Sequence, residues 1–88
     1  MLQEIEHDTV SGRLAEIAEI AADLFSVTAG EVEAARSFVD DVEADSLLVI
    51  ELLSHLEKRY GITIPEGELF RLVDLRSTYD VVAEHAGW

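Results

Sequence analysis

Apolar residues recur in this sequence at the spacing of an α-helix, and this periodicity constrains the fold more than any other feature. In the clearest segment they fall at i, i+3, i+4, i+7 and i+11, which places them on one arc of a helix roughly 100° wide. Alternating apolar and polar residues, which would predict strands, are almost absent. The sequence therefore predicts an all-α domain. The residues of this stripe are Val49, Leu52, Leu53, Leu56 and Tyr60.

The same periodicity divides the chain into four helices, three of them long and one short. Most of them begin or end beside a residue that commonly caps helices. We expect a single four-helix bundle with a long first connection, occupying residues 1–88 with its core at about 9–86. The first predicted helix covers residues 9–25; it is capped by Asp8 or Thr9 and carries the stripe Val10, Leu14, Ile17, Ala21 and Leu24. The second covers residues 45–61, begins at Asp45 or Ser46 and ends at Gly61, and the short third covers residues 66–70 after Pro65. The last is capped by Asp74 and carries the stripe Leu75, Tyr79, Val82 and Ala86.

Residues 27–39 interrupt the helical period and are predicted to form a long loop. The segment holds small residues and scattered acids, and only Val32 and Phe38 stand out as apolar anchors. We expect these two side chains to fix the loop to the core. Loops longer than about twelve residues are uncommon and often functional. This loop leads toward the second predicted helix, which is therefore of functional interest.

The charge of the chain limits its partners. It has 19 Asp and Glu residues against 6 Lys and Arg, for a formal net charge of −13. Such a surface repels nucleic-acid phosphates and anionic lipid, so we expect no nucleic acid and no membrane as partners, and basic proteins instead. The longest apolar run, residues 47–50, is too short to span a membrane, and the N-terminus lacks the features of a secretory signal. We expect a cytoplasmic monomer.

Catalytic and metal-binding chemistry has little support in the sequence. The chain has no cysteine, and its histidines, His7, His55 and His85, lie on three different segments. Asp40 and Glu51 occupy the first and last positions of a twelve-residue window, as in an EF-hand calcium loop, but the inner ligand and glycine positions do not match. We therefore expect no metal site and no enzymatic activity. The mismatched positions are Val42, Ala44 and Asp45.

The helix that starts near Ser46 carries apolar residues on more than one face. At about 100° per residue, Leu47 lies almost opposite the stripe, and Ile50 lies on its shoulder with Glu51 beyond. Apolar side chains beside acids on a solvent-facing surface are typical of a docking site. Two alternatives stay open at this point: the long loop covers Leu47, or Ser46 is only a helix cap, a role that Asp45 also suits.

The tripeptide Asp45-Ser46-Leu47 resembles the attachment motif of acyl carrier proteins. Its surroundings extend the resemblance over nearly the whole chain, from about residue 9 to residue 85. The residues that match the family's pattern are Phe38 and Asp40-Asp41 before the motif, then Glu51-Leu52, Leu56-Glu57, Tyr60 and Gly61-Ile62-Thr63-Ile64-Pro65 after it, and Asp74-Leu75 through Val82 in the last helix.

Three positions depart from the family's pattern. Glu43 stands where glycine is usual, Val42 where leucine is common, and Leu48 where fatty-acid carriers usually have an acid. These differences leave the attachment chemistry unchanged. Less acid and more apolar surface beside Ser46 favours a specialised polyketide or hybrid pathway over bulk fatty-acid synthesis.

The resemblance implies a four-helix bundle of acyl-carrier type and a carrier function. In this family the serine of the motif, here Ser46, is esterified by phosphopantetheine from coenzyme A, and the arm holds acyl groups as thioesters. The implied partners are a phosphopantetheinyl transferase and synthase, acyltransferase or ligase enzymes with basic docking patches. The alternatives are a fatty-acid carrier, a peptidyl carrier that loads an amino acid, and a helical interaction module that carries nothing. The residues expected to dock partners are Asp41, Asp45, Leu47, Ile50 and Glu51.

Overall fold

The computed structural model describes the backbone of residues 2–88 and the side chains from Thr9 onward. Every regular element within these residues is helical, which confirms the predicted all-α class. None of these helices is both long and apolar enough to cross a lipid bilayer. The elements are α1 (Leu2–Phe25), α2 (Ala29–Ala34), α3 (Phe38–Asp41), α4 (Ser46–Tyr60), a 3₁₀ helix (Glu66–Arg71) and α5 (Leu75–Ala86).

Helix α1 begins well before its predicted start. It starts at Leu2, so Asp8 and Thr9 lie inside the helix and the predicted cap at either residue is wrong. The residues before Asp8 are mostly good helix formers such as Leu, Gln and Glu, which allow the helix to continue toward the N-terminus. Val10 is 43% exposed despite its place on the predicted stripe, and full burial begins only at Ile17.

The predicted long loop contains the short helix α2 and the start of a second short helix, α3, which corrects the prediction. Thr28 caps α2 and Ser37 caps α3, each through its side-chain oxygen. Helices of six and four residues are too short to show a helical period, so the pattern resembles that of a loop. The anchoring role of Val32 and Phe38 is confirmed. Both side chains are buried, and the Phe38 ring packs edge-on against Phe25 with the ring centroids 5.2 Å apart.

Helix α4 agrees with its prediction. Asp45 caps its start, and Gly61 ends it in the left-handed conformation with φ of +65°. The predicted stripe faces the core: its four aliphatic residues are buried and Tyr60 is half-buried. The short third helix is also confirmed, as the 3₁₀ helix that follows Pro65.

Helix α5 has its predicted cap but a different buried face. Asp74 caps the helix and exchanges hydrogen bonds with Ser77. The buried residues are Thr78, Val81 and Val82, so only one member of the predicted stripe is fully buried. Thr78 is polar and was not part of an apolar stripe, yet it is buried without penalty because its hydroxyl donates to the Asp74 carbonyl at 2.7 Å. The other three stripe residues, Leu75, Tyr79 and Ala86, are half-buried.

An aromatic and charged cluster holds the C-terminal end of α4. The Tyr60 hydroxyl donates to Glu16 Oε1 at 2.9 Å, and Trp88 packs edge-on against the Tyr60 ring at 5.0 Å. The Arg13 guanidinium carbon lies 4.0 Å from the centroid of the Trp88 ring. Burial, together with the hydrogen bond to Glu16, raises the pKa of Tyr60 to about 12. Helices α1 and α4 and the segment after α5 are therefore tied together at the end of α4 opposite Ser46.

Negative charge dominates the segment that leads into α4 and the first turns of that helix. Between Arg36 and Lys58 the sequence has six Asp and Glu residues and no Lys or Arg. Several of the few cations elsewhere are already paired with carboxylates, among them Arg59, Arg71 and Arg76. The start of α4 therefore lies in an acidic part of the surface.

Candidate functional site

Ser46 is the first residue of α4, and it is exposed. The cap is the residue before it, since Asp45 Oδ1 accepts a hydrogen bond from the Leu48 backbone N–H at 2.9 Å. Within the part of the chain that the structure describes, no residue forms a hydrogen bond with the Ser46 hydroxyl. That hydroxyl is therefore accessible to a reaction partner, and the helix does not need it as a cap.

Backbone hydrogen bonds at Phe38 fix the chain just before Ser46. The Phe38 carbonyl accepts from the Ala44 N–H at 3.0 Å, and the Phe38 N–H donates to the Val73 carbonyl at 2.7 Å. Ala44 is fully buried. The chain therefore leaves the core only at the exposed Asp45, and Ser46 follows at the surface.

Two of the predicted docking acids also support the fold. Asp45 caps α4, and Asp41 Oδ2 accepts the backbone N–H groups of Arg36 at 2.7 Å and Ser37 at 3.3 Å. Both aspartates are exposed, and so is Glu51. Replacing either aspartate would change local structure as well as charge, so Glu51 is the cleaner probe of charge at this surface.

The apolar side chains predicted to dock partners face solvent. Leu47 is 63% exposed and Ile50 is 43% exposed. The connection between α1 and α4 does not cover Leu47, which excludes that alternative. The intervening Leu48 is half-buried and packs against the core. The first turns of α4 thus present apolar surface to water beside Ser46.

Phe70 is a further exposed apolar residue that the sequence pattern did not single out. Its ring is 89% exposed, more than any other large apolar side chain described. Phe70 lies on the 3₁₀ helix, whose six residues are too few to define a buried face by periodicity. Val39 and Val73 are also exposed. The only sequence signal that Phe70 is exposed is that an aromatic residue occurs in a short polar segment. That signal is weak.

Two open cavities share Phe70 and Leu69 in their walls. The first has a volume of about 250 Å³ and includes Ser46. The second has a volume of about 290 Å³ and includes Ile50 and Glu66. Phe70 therefore stands between the surface around Ser46 and the exposed side of α4. The other apolar residues around the first cavity are Val39, Val49, Leu72 and Val73.

Glu43 has a backbone conformation that favours glycine. Its φ is +55°, in the left-handed region, which costs a residue with a Cβ atom about 1–2 kcal/mol. The conformation is maintained because the next residue, Ala44, is buried and hydrogen-bonded to Phe38. The glycine that is usual here in the family therefore has a conformational reason, and this chain has a carboxylate side chain instead.

Possible metal ligands do not converge. Asp40 lies in α3 and Glu51 in α4, so the ends of the EF-hand window belong to separate helices. Among the side chains from residue 9 onward, no three His, Asp or Glu groups are placed to hold a metal ion. His55 lies on α4 and His85 on α5, whereas the His7 side chain lies outside the described residues.

Comparisons with known proteins agree with this geometry. The profile of the family described as "Phosphopantetheine attachment site" matches residues 15–82, which is most of the chain. An acyl carrier protein of Rubrobacter xylanophilus is 40% identical over 72 residues, which cover 82% of this chain and 89% of that protein. The chain belongs to the acyl carrier protein family.

Two further similarities extend this result. Polyketide-8 synthase acyl carrier protein 1 of Streptomyces avermitilis is 40% identical over 76 residues, which cover 86% of this chain and 90% of that protein. A solved structure described as "The ishigamide ketosynthase/chain length factor" contains a chain that is 39% identical, with a TM-score of 0.72. That match covers 86% of this chain and 96% of the other.

The bundle of acyl-carrier type, the carrier function and the phosphopantetheine cofactor are thereby confirmed. The residues at the start of α4 fit this cofactor. The Ser46 hydroxyl is exposed and has no hydrogen-bond partner among the described residues, and the cavity beside it is open to solvent. A group esterified to that oxygen would therefore displace no part of the core.

We expect Glu43→Gly to stabilise the acyl carrier protein by about 0.5–1 kcal/mol. Relief of the left-handed strain is partly offset by the greater freedom of glycine in the unfolded chain. Urea unfolding followed by circular dichroism measures the change. Glu43→Gln is the matched control because it removes the same charge and keeps the Cβ atom. Equal stabilisation by both variants would show that charge repulsion, not backbone conformation, is the cause.

Proposed function

We propose that phosphopantetheine is attached to Ser46 and that this acyl carrier protein moves acyl groups between the enzymes of a bacterial polyketide or related specialised pathway. The observation that supports this best is the exposed Ser46 hydroxyl at the start of α4, within the Asp-Ser-Leu motif. No other serine combines a preceding acid, a following apolar helix and a leading connection. The other serines are Ser11, Ser26, Ser37, Ser54 and Ser77.

Attachment requires an accessible nucleophile at a fixed position. The Ser46 oxygen bonds to the phosphorus of coenzyme A that bears the pantetheine unit, adenosine 3′,5′-bisphosphate leaves, and the serine proton is released. Asp45 keeps α4 capped during this step, so Ser46 stays at a rigid helix end. When bound, the cofactor supplies a thiol that holds an acyl group as a thioester. In this proposal the chain catalyses nothing and supplies only the attachment point and a surface for partners.

The observations weigh against an interaction module that carries nothing. Capping does not account for Ser46, because Asp45 already caps the helix. A polyketide pathway is supported by the similarity to the S. avermitilis protein and by the apolar Leu47 and Leu48 beside Ser46. The alternatives within the same fold are fatty-acid synthesis and amino-acid loading. Loading with malonyl or amino-acyl groups by purified acyltransferases or ligases separates them.

We assign partner docking to the start of α4 and the connection before it. The carboxylates of Asp41, Asp45 and Glu51 attract a basic surface at long range, and Leu47 and Ile50 supply contact at short range. Such contacts release quickly, which suits a carrier that visits several enzymes. The proposed partners are a phosphopantetheinyl transferase and synthase, acyltransferase or ligase enzymes with basic docking patches. In this proposal the carrier itself is a cytoplasmic monomer.

Ser46→Ala should abolish attachment of the arm and leave the fold intact. Incubation with coenzyme A, Mg²⁺ and a broad-specificity phosphopantetheinyl transferase should add one arm to the native protein and none to the variant, as measured by intact-protein mass spectrometry. Because the Asp45 cap remains, the loss of stability should stay below the roughly 1 kcal/mol typical of a lost cap. Ser54→Ala, an exposed serine on the same helix, is the control and should load fully. Arm transfer to Ser46→Ala would place the site elsewhere.

Leu47→Ala should weaken docking and barely change stability. Leu47 is mostly exposed, so truncation should cost far less than the about 2–5 kcal/mol typical of a buried leucine. Its loss should appear as faster dissociation from the transferase with little change in the association rate. Leu53→Ala, on the buried face of the same helix, is the contrast and should lower the melting temperature strongly. A similar drop for Leu47→Ala would assign Leu47 to the core.

Glu51→Lys should instead slow association with the transferase. It reverses a steering charge, so the dependence of the association rate on salt should also weaken. Stopped-flow binding at several salt concentrations measures both effects. Glu19→Lys makes the same change in net charge at an exposed position on α1 and should have the smaller effect. If both variants slow association equally, net charge and not its location governs docking.

A further inference from the structure

Phe70 belongs to an exposed apolar patch and is its most prominent member. The ring is 89% exposed, so it adds little to the core. It shares one cavity wall with Val39 and Val73 and another with Ile50, and all four side chains are exposed. We call these four residues the Phe70 patch. Contiguous exposed apolar surface of this kind is characteristic of sites that bind another molecule.

The surface around the Phe70 patch is acidic. Glu66 lines the same cavity as Ile50 and Phe70. The adjacent cation, Arg71, is neutralised by other carboxylates: its guanidinium donates to Glu84 at 2.6 and 2.9 Å and to Glu68 at 3.2 Å. No Lys or Arg occurs between residues 37 and 57, which precede the 3₁₀ helix. An apolar patch with an acidic border complements an apolar pocket with a basic border.

We propose that Phe70 is a docking anchor, inserted into an apolar pocket framed by Lys and Arg side chains on a condensing-enzyme subunit of the synthase. The proposal rests on the carrier function proposed above and extends the docking surface from α4 onto the 3₁₀ helix. Charge complementarity favours a basic protein as the occupant, because a second copy of a chain with net charge −13 and an anionic lipid surface would both be repelled. Among basic proteins, the 39% identity to a chain in the structure described as "The ishigamide ketosynthase/chain length factor" favours a condensing-enzyme subunit. Aromatic side chains at the centre of an interface, surrounded by polar groups, commonly dominate binding.

The position of Phe70 relative to Ser46 links docking to delivery of the arm. Both residues border the same cavity of about 250 Å³. A partner that holds the Phe70 ring therefore also holds the attachment point of the arm close to its own surface. The contact fixes where the arm starts and leaves Ser46 itself uncovered.

The experiment measures the affinity of the arm-bearing protein for the ishigamide ketosynthase/chain length factor pair at several salt concentrations. Phe70→Ala should raise Kd about tenfold or more, by a similar factor at every salt concentration, because an apolar contact is lost. Glu66→Gln should instead flatten the salt dependence. Phe70→Leu should restore part of the affinity. Val10→Ala, which shortens an exposed side chain on α1, is the control and should bind like the native protein.

Two readouts separate this proposal from the carrier function. Unchanged melting temperature and complete arm loading of Phe70→Ala by mass spectrometry show that fold and attachment are intact, so weaker binding then supports the anchor. Native-like affinity of Phe70→Ala overturns it, as does a native protein that loads its arm but does not bind the pair. Two other outcomes also overturn it. If the native protein sediments as a dimer and Phe70→Ala does not, the Phe70 patch binds a second copy. If Phe70→Ala binds the pair more weakly only when a long acyl chain is on the arm, the patch binds the cargo.

Discussion

The burial of Phe38 is the interaction on which the candidate site depends. Its ring packs on Phe25 at the end of α1, and its backbone bonds to Ala44 on one side and to Val73 on the other. These contacts fix the segment before α4 and the segment before α5 relative to each other. Both segments contribute walls to the cavity beside Ser46. One buried aromatic residue thus organises a connection whose own helices have only six and four residues and are far too short to be stable alone.

In the docking proposal, helix α4 separates stability from recognition by face. Its buried stripe removes four aliphatic side chains from water, each worth about 1.5–3 kcal/mol, and so holds the helix to α1 and the 3₁₀ helix. Leu47 and Ile50 on the exposed face contribute little to that packing. A side chain that the fold does not need can be matched to a partner without loss of stability. The same division explains why capping falls to Asp45, which leaves the neighbouring hydroxyl of Ser46 uncommitted.

The sequence predicted best those features that repeat along many residues or that use a strongly preferred residue type. The stripe of α4, its cap Asp45 and its glycine terminator Gly61 were all predictable, and Ser46 was found through the motif that they surround. The start of α1 was not, because no strong stop signal precedes residue 9. Helices α2 and α3 are shorter than the window in which a period can be seen. The exposure of Phe70 follows from how the 3₁₀ helix sits on α4, which is a tertiary property that local pattern does not contain.

Two departures from local preference lie near Ser46. The carboxylate-bearing Glu43 is held in a glycine conformation, and Phe70 exposes an aromatic ring to water; both are close in sequence or space to Ser46. The opposite end of α4 shows the reverse, since the hydroxyl of Tyr60 is hydrogen-bonded and its ring is covered by Trp88. A consistent fold resolves such conflicts unless another requirement opposes it. In the proposal above, recognition by partners is such a requirement, and it acts near Ser46. Glu43 and Phe70 therefore support the proposal that partners meet the acyl carrier protein around Ser46 and the 3₁₀ helix.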